Sequence, residues 1–104
     1  NHITLASIQD IAAMKLTALC GRATKRDYVD VYVLCQQYSF EELFSWYDKK
    51  YGVLGNNVYT LIKALGYFED AQGDEMPEML VPLEWEQVQS FLLAQSLRLG
   101  KKLL

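Results

Sequence analysis

Lys15 falls inside the apolar stripe of the first helix that the hydrophobic pattern predicts, and a cation there restricts what the chain can become. The predicted helix runs from Ile8 to Arg22. At about 100° per residue, Ile8, Ile11, Ala12, Lys15, Leu19 and Arg22 share one arc, while Asp10, Ala13, Thr17 and Gly21 take the opposite side. Burying an unpaired ammonium is prohibitive, so Lys15 must lose its proton, reach water, meet a carboxylate or bind an anion. The second predicted helix, from Lys25 to Gln37, offers the carboxylate, because Asp27 and Asp30 lie beside Val31 and Leu34 on one flank. If the chain turns near Arg22 to Thr24, Lys15 and Asp30 are equally far from the turn and face each other across an αα-hairpin.

A chain of 104 residues, 51% of them hydrophobic, is long enough to form one domain with its own core. The net charge of -3 argues against broad phosphate-backbone binding, which requires a basic face that releases counterions. Charge is nevertheless segregated. From Lys15 to Arg26 the charged residues are Lys15, Arg22, Lys25 and Arg26, all cations, whereas every charged residue from Glu69 to Glu86 is acidic. A local anion site is therefore compatible with an acidic whole. Cys20 and Cys35 lie on separate predicted helices at unequal distances from the turn, so the expectation is two reduced, buried thiols. With His2 the only histidine, zinc chemistry lacks ligands. No apolar run approaches the roughly 18 residues of a membrane span, and no signal peptide opens the chain; the expected location is the cytoplasm.

Helix-start signals predict an all-α fold of about five helices, an irregular bundle beginning with the hairpin. Ser7 with Asp10 is expected to open the first helix, Thr24 with Asp27 the second, and Ser39 with Glu42 a third that ends by Gly52. Asn56 or Asn57 should cap a fourth through Val58, Leu61, Ile62 and Leu65. Asp70 to Val81 reads as a surface connection in which Met76, Met79 and Leu80 tuck inward, with Glu69 and Asp70 solvated. The last helix follows Pro82 and Leu83, carries Trp85, Val88, Phe91, Leu92 and Leu99, and frays at Lys101 and Lys102. Ile3 to Ala6 is the one strand-like piece. Phe40, Phe44, Trp46, Tyr47 and Tyr51 crowd the third helix; core packing is their default, yet they could leave an apolar patch that supports a homodimer.

The pairing of Lys15 with Asp30 has two chemical meanings. Asp30 can hold the lysine ready for a phosphate, with Arg22 and Arg26 completing a cationic rim whose guanidinium groups donate in pairs to phosphate oxygens. Alternatively, the pair is a salt bridge that pins two helices of a noncatalytic interaction module. Nucleophilic catalysis finds little support, since no histidine accompanies either cysteine and the serines sit at helix starts. A Walker-type phosphate loop is absent.

The run Asp10-Ile11-Ala12-Ala13-Met14-Lys15-Leu16, followed by Gly21-Arg22 and Lys25-Arg26-Asp27-Tyr28-Val29-Asp30-Val31-Tyr32, resembles a signature block of the AbiEii-type nucleotidyltransferases, the toxins of type IV toxin–antitoxin systems. The likeness continues through Tyr38 to Glu42, Tyr67 to Ala71 and Met76 to Met79, covering Leu5 to about Phe91. It implies that Lys15 and Asp30 are active-site residues, with Lys15 steadying a triphosphate and Asp30 orienting it or assisting the acceptor. Arg22, Arg26 and Asp27 would support them in nucleotide binding. It further implies magnesium and a nucleoside triphosphate as co-reactants, a cognate antitoxin, a role in abortive infection and phage defence, and an acceptor that is RNA or protein. One departure accompanies these matches. The family begins with a half carrying a Gly-Gly-Ser/Thr turn and a metal-holding aspartate pair, and this sequence contains neither a glycine pair nor an Asp-x-Asp. Residues 1–104 are thus expected to be the helical C-terminal half, from an expressed fragment or a shortened reading frame, inactive without the missing N-terminal half.

Overall fold

Helix α1, Leu5–Leu19, is the element around which the others assemble: α3, Phe40–Tyr51, α2, Lys25–Leu34, and α4, Leu54–Leu65, all pack on it. Helix α5, Trp85–Leu103, closes the far side against α4 and α2. The structure is a computed structural model that describes residues 5–104, with side chains from residue 7 onward. Its described residues form five α-helices and a single 3-10 turn at Glu69–Ala71, with no strand. The all-α expectation holds. Of the expected strand, Ile3 and Thr4 lie outside the described residues, and Leu5 and Ala6 belong to α1.

Two helix starts form as their sequences dictate. Thr24 and Ser39 each adopt extended backbone and make reciprocal capping boxes with Asp27 and Glu42. Two others begin earlier than expected. Ser7 lies within α1, and its expected cap partner Asp10 instead forms an ion pair with Lys50 of α3. Asn56 and Asn57 lie within α4, because Asp48 near the end of α3 accepts a hydrogen bond from the Leu54 N–H at 3.2 Å, supplying the cap from across a tight turn. Gly52 makes that turn possible. Its φ of 68° is a left-handed conformation that residues with a Cβ avoid. At the other end of the chain, Lys101 and Lys102 continue α5, and Lys102 joins Arg98 on Glu41 of α3.

The core is built from Ala12, Leu16 and Leu19 of α1, Phe40, Leu43 and Phe44 of α3, Leu61 and Leu65 of α4, and Val88, Leu92 and Leu99 of α5. Ala13, expected on the outer side of α1, is fully buried, while Ile11 is 41% exposed. The buried arc of α1 is thus turned by roughly 80° from the expected one at 100° per residue. The cause is packing on several sides: α3 and α4 demand a face that sequence periodicity, treating a helix as covered from one direction, assigns to solvent. Lys15 consequently lies at the edge of the core rather than within its stripe. The apolar patch expected on α3 does not form in the expected way, since Phe40, Phe44 and Tyr47 are buried and only Tyr51 of the five is largely exposed.

Candidate functional site

The geometry of the site begins at the start of α2. The Asp27 N–H donates to Thr24 Oγ1 at 3.3 Å, and Asp27 Oδ2 accepts from the Thr24 N–H at 2.8 Å and its hydroxyl at 3.0 Å. One turn later Asp30 meets α1, where Lys15 Nζ donates to Asp30 Oδ2 at 2.8 Å. The side chains are 38% and 31% exposed, so the pair has water beside it and a low-dielectric wall behind. A cleft of about 270 Å³ opens there between α1, α2 and the segment Pro77 to Met79. Lys15, Asp30 and Arg26 line it together with Glu78, and Ile11 and Val33 form apolar walls.

Of the candidate residues, the fold brings Lys15, Asp30 and Arg26 to one cleft. The Arg26 side chain makes no hydrogen bond or ion pair among the described residues, leaving its donors available to a ligand. Arg22 is exposed in the bend after α1 and does not line the cleft. Asp27 is engaged in the cap and acts on the site by fixing the first turn of α2, from which Arg26 projects. Glu78 was assigned no role by the sequence. Its only signal was membership in the Met76-to-Met79 segment, which spacing alone could not connect to Lys15.

Helix α2 is held from its other side by an aromatic cluster. Tyr28 stacks edge-on with Phe68 and Trp85, and its hydroxyl donates to the Tyr67 carbonyl oxygen. Burial, followed by the nearby Asp70 and Asp27 charges, pushes the Tyr28 phenol up to about 12, so it remains a donor throughout the physiological range. The cleft itself contains no cysteine, serine or histidine among its lining residues. Cys35 is part-buried and its thiol is pushed up to about 12 by desolvation, whereas Cys20, expected to be buried, is exposed at the end of α1; both are free thiols. The reason for the second is that α1 ends at Leu19, which leaves Cys20 in the turn.

Carboxylates reach the cleft at two points, Asp30, already paired with Lys15, and Glu78. Among the described residues no group of three or more His, Cys, Asp or Glu side chains is placed to hold a metal ion. A magnesium ion does not fit the residues present in this cleft. What the arrangement can do is hold an anion: one ammonium fixed by a neighbouring carboxylate, and one guanidinium free to fork onto oxygen atoms. Also among the described residues, no helix is long and apolar enough to cross a membrane.

No solved structure matches the chain. The chain is similar to an uncharacterized protein of Aquifex aeolicus (strain VF5), 35% identical over 91 residues, which cover 86% of this chain and 42% of that protein. It therefore spans less than half the length of the curated relative it matches. Residues 1–97 match the family described as nucleotidyl transferase AbiEii toxin of type IV toxin–antitoxin systems, and the match includes every residue of the cleft, so this chain belongs to the AbiEii nucleotidyltransferase toxin family.

Proposed function

We propose that this chain is the helical, triphosphate-facing part of an AbiEii-like nucleotidyltransferase toxin, in which Lys15 binds the phosphates of a nucleoside triphosphate and Asp30 holds that lysine in place. The observation that carries the reading is the 2.8 Å contact between Lys15 Nζ and Asp30 Oδ2 at the mouth of a cleft that also presents an uncommitted Arg26. An ammonium already dehydrated on one side and oriented by a carboxylate loses little freedom when a phosphate arrives. Arg26 adds a planar pair of donors. Asp27 keeps α2 in register, and Arg22 contributes charge from the adjoining bend. Magnesium and the carboxylates that bind it would be supplied by another portion of the protein, in keeping with the poor fit of a metal here. The acceptor, RNA or protein, and a cognate antitoxin would likewise be engaged by the assembled toxin.

The rival meaning, a salt bridge retained for stability, fits the energetics poorly. With about a third of each side chain exposed, such a pair contributes roughly 0–1 kcal/mol. Helices α1 and α2 already pack on each other, with Val29 and Val31 of α2 buried. The test is complementation: adding a separately expressed nucleotidyltransferase half should give magnesium-dependent nucleotide transfer, and Lys15→Met or Asp30→Asn should remove it. Transfer unaffected by both substitutions would refute the assignment.

A further inference from the structure

The segment from residue 73 to residue 84 passes along the cleft, lining it with Pro77, Glu78 and Met79, and the proposed phosphate role does not use it. Its side chains meet the core at two places. Met76 and Leu83 pack against the core, and between them Pro77, Glu78, Met79, Leu80, Val81 and Pro82 run without regular structure. Residues 75–83 make no hydrogen bond among the described residues. Of Met79 and Leu80, both expected to tuck inward, Met79 lines the cleft at 37% exposure, whereas Leu80 is fully exposed and the neighbouring Val81 is 72% exposed. Prolines at both ends of this run remove backbone donors and favour extended conformations, so nothing in the backbone ties it down.

Both ends of the segment meet at a single residue of α2. Before the run, Asp74 Oδ2 accepts from the Lys25 N–H at 3.1 Å; after it, the Lys25 ammonium lies 5.3 Å from the ring centroid of Trp85. The middle of the segment then places Glu78 on the wall of the cleft that Lys15 and Arg26 also line. With Glu78 in place, Lys15 and Arg26 are balanced by Asp30 and Glu78, and the cleft is neutral; with Glu78 withdrawn it carries one net positive charge. The closed form is thus poorly matched to a polyphosphate, and the open form is well matched.

We propose that residues 73–84 form an autoinhibitory strap, latched by Asp74 onto the first turn of α2, whose Glu78 charge repels anionic ligands from the cleft that Lys15 and Arg26 line. A polyphosphate enters by displacing the strap. A segment with few buried contacts and no internal hydrogen bonds belongs to the low-stability end of a fold, where opening is cheap. Release of the latch frees the outward-facing Leu80 and Val81 to move together with Glu78.

The inference rests on the phosphate reading of Lys15, and the experiment separates the two. Binding of inorganic tripolyphosphate would be measured by calorimetry for the wild-type chain, Glu78→Gln, Asp74→Ala and Lys15→Met, with hydrogen exchange followed across residues 73–84. Glu78→Gln keeps the shape and removes the charge, and should tighten binding on the order of fivefold at low salt. Asp74→Ala should speed exchange in the strap and tighten binding in the same direction, while Lys15→Met should abolish it. Binding that is lost in Lys15→Met but unchanged in both Glu78→Gln and Asp74→Ala overturns the strap and leaves the phosphate site standing. Absence of binding in all four proteins overturns both.

Discussion

The two faces of α1 differ in almost every physical respect. Toward α3 and α4, Ala12, Ala13, Leu16 and Leu19 are sealed from solvent among leucines and aromatic rings; toward the cleft, Lys15 and Ile11 remain partly exposed and line it together with Asp30 and Arg26. The first face is where burial and dispersion stabilise the fold. The second leaves apolar area uncovered and charges half in water, which stabilises little and suits a ligand or another protein surface. One helix therefore separates the residues that make the domain fold from those proposed to bind its ligand.

The largest expected effect belongs to the sealed face. Leu43→Ala removes a fully buried side chain from α3 opposite α1 and should cost about 2–5 kcal/mol in urea unfolding, with phosphate binding retained by whatever fraction stays folded. A cost under about 1 kcal/mol would mean that α1 and α3 are not the stabilising pair. Next comes the anchor that holds α2 from behind. Tyr28→Phe keeps the ring cluster but strands the Tyr67 carbonyl, for an expected loss of about 1–2 kcal/mol. A smaller and more local effect concerns the thiols: a neutral alkylating reagent at pH 8 should modify Cys20 well before Cys35, whose thiol is held near 12 by burial. Equal rates in the native protein would show that α2 opens far more readily than its packing implies.

The smallest expected effect is in acid. Hydrogen bonds from Arg98, then Lys102, hold the Glu41 carboxyl near 2, well below the ordinary 4.5. A depressed folded value contributes stability that is complete above about 4.5 and disappears as pH falls through about 2. The pair is solvent-exposed and screened, so the effect should be slight and weaker in salt. Comparing the acid limb of Glu41→Gln with wild type between these values checks it; identical limbs would place the α3–α5 tie outside the stabilising set.

The readability of these features in the sequence follows their distance along the chain. Lys15 and Asp30 are separated by one turn and sit symmetrically about it, so helical geometry alone placed them together, and the Thr24–Asp27 and Ser39–Glu42 caps were legible for the same local reason. Contacts made at long range were not. The rotation of the buried arc of α1 and Glu78 reaching the cleft both depend on where a different helix or loop comes to rest. Arg22 illustrates the limit in another way: periodicity placed it on the stripe with Lys15, but the helix ends at Leu19, and beyond that point the period no longer positions a side chain.

The division of labour on α1 is tested most directly by Lys15→Met, measured for both stability and tripolyphosphate affinity in the same preparation. Unfolding free energy should change by less than about 1 kcal/mol while binding is lost. A loss of about 3 kcal/mol or more, the signature of a stranded buried carboxylate, with affinity for the anion unchanged, would contradict it and return the pair to a structural role.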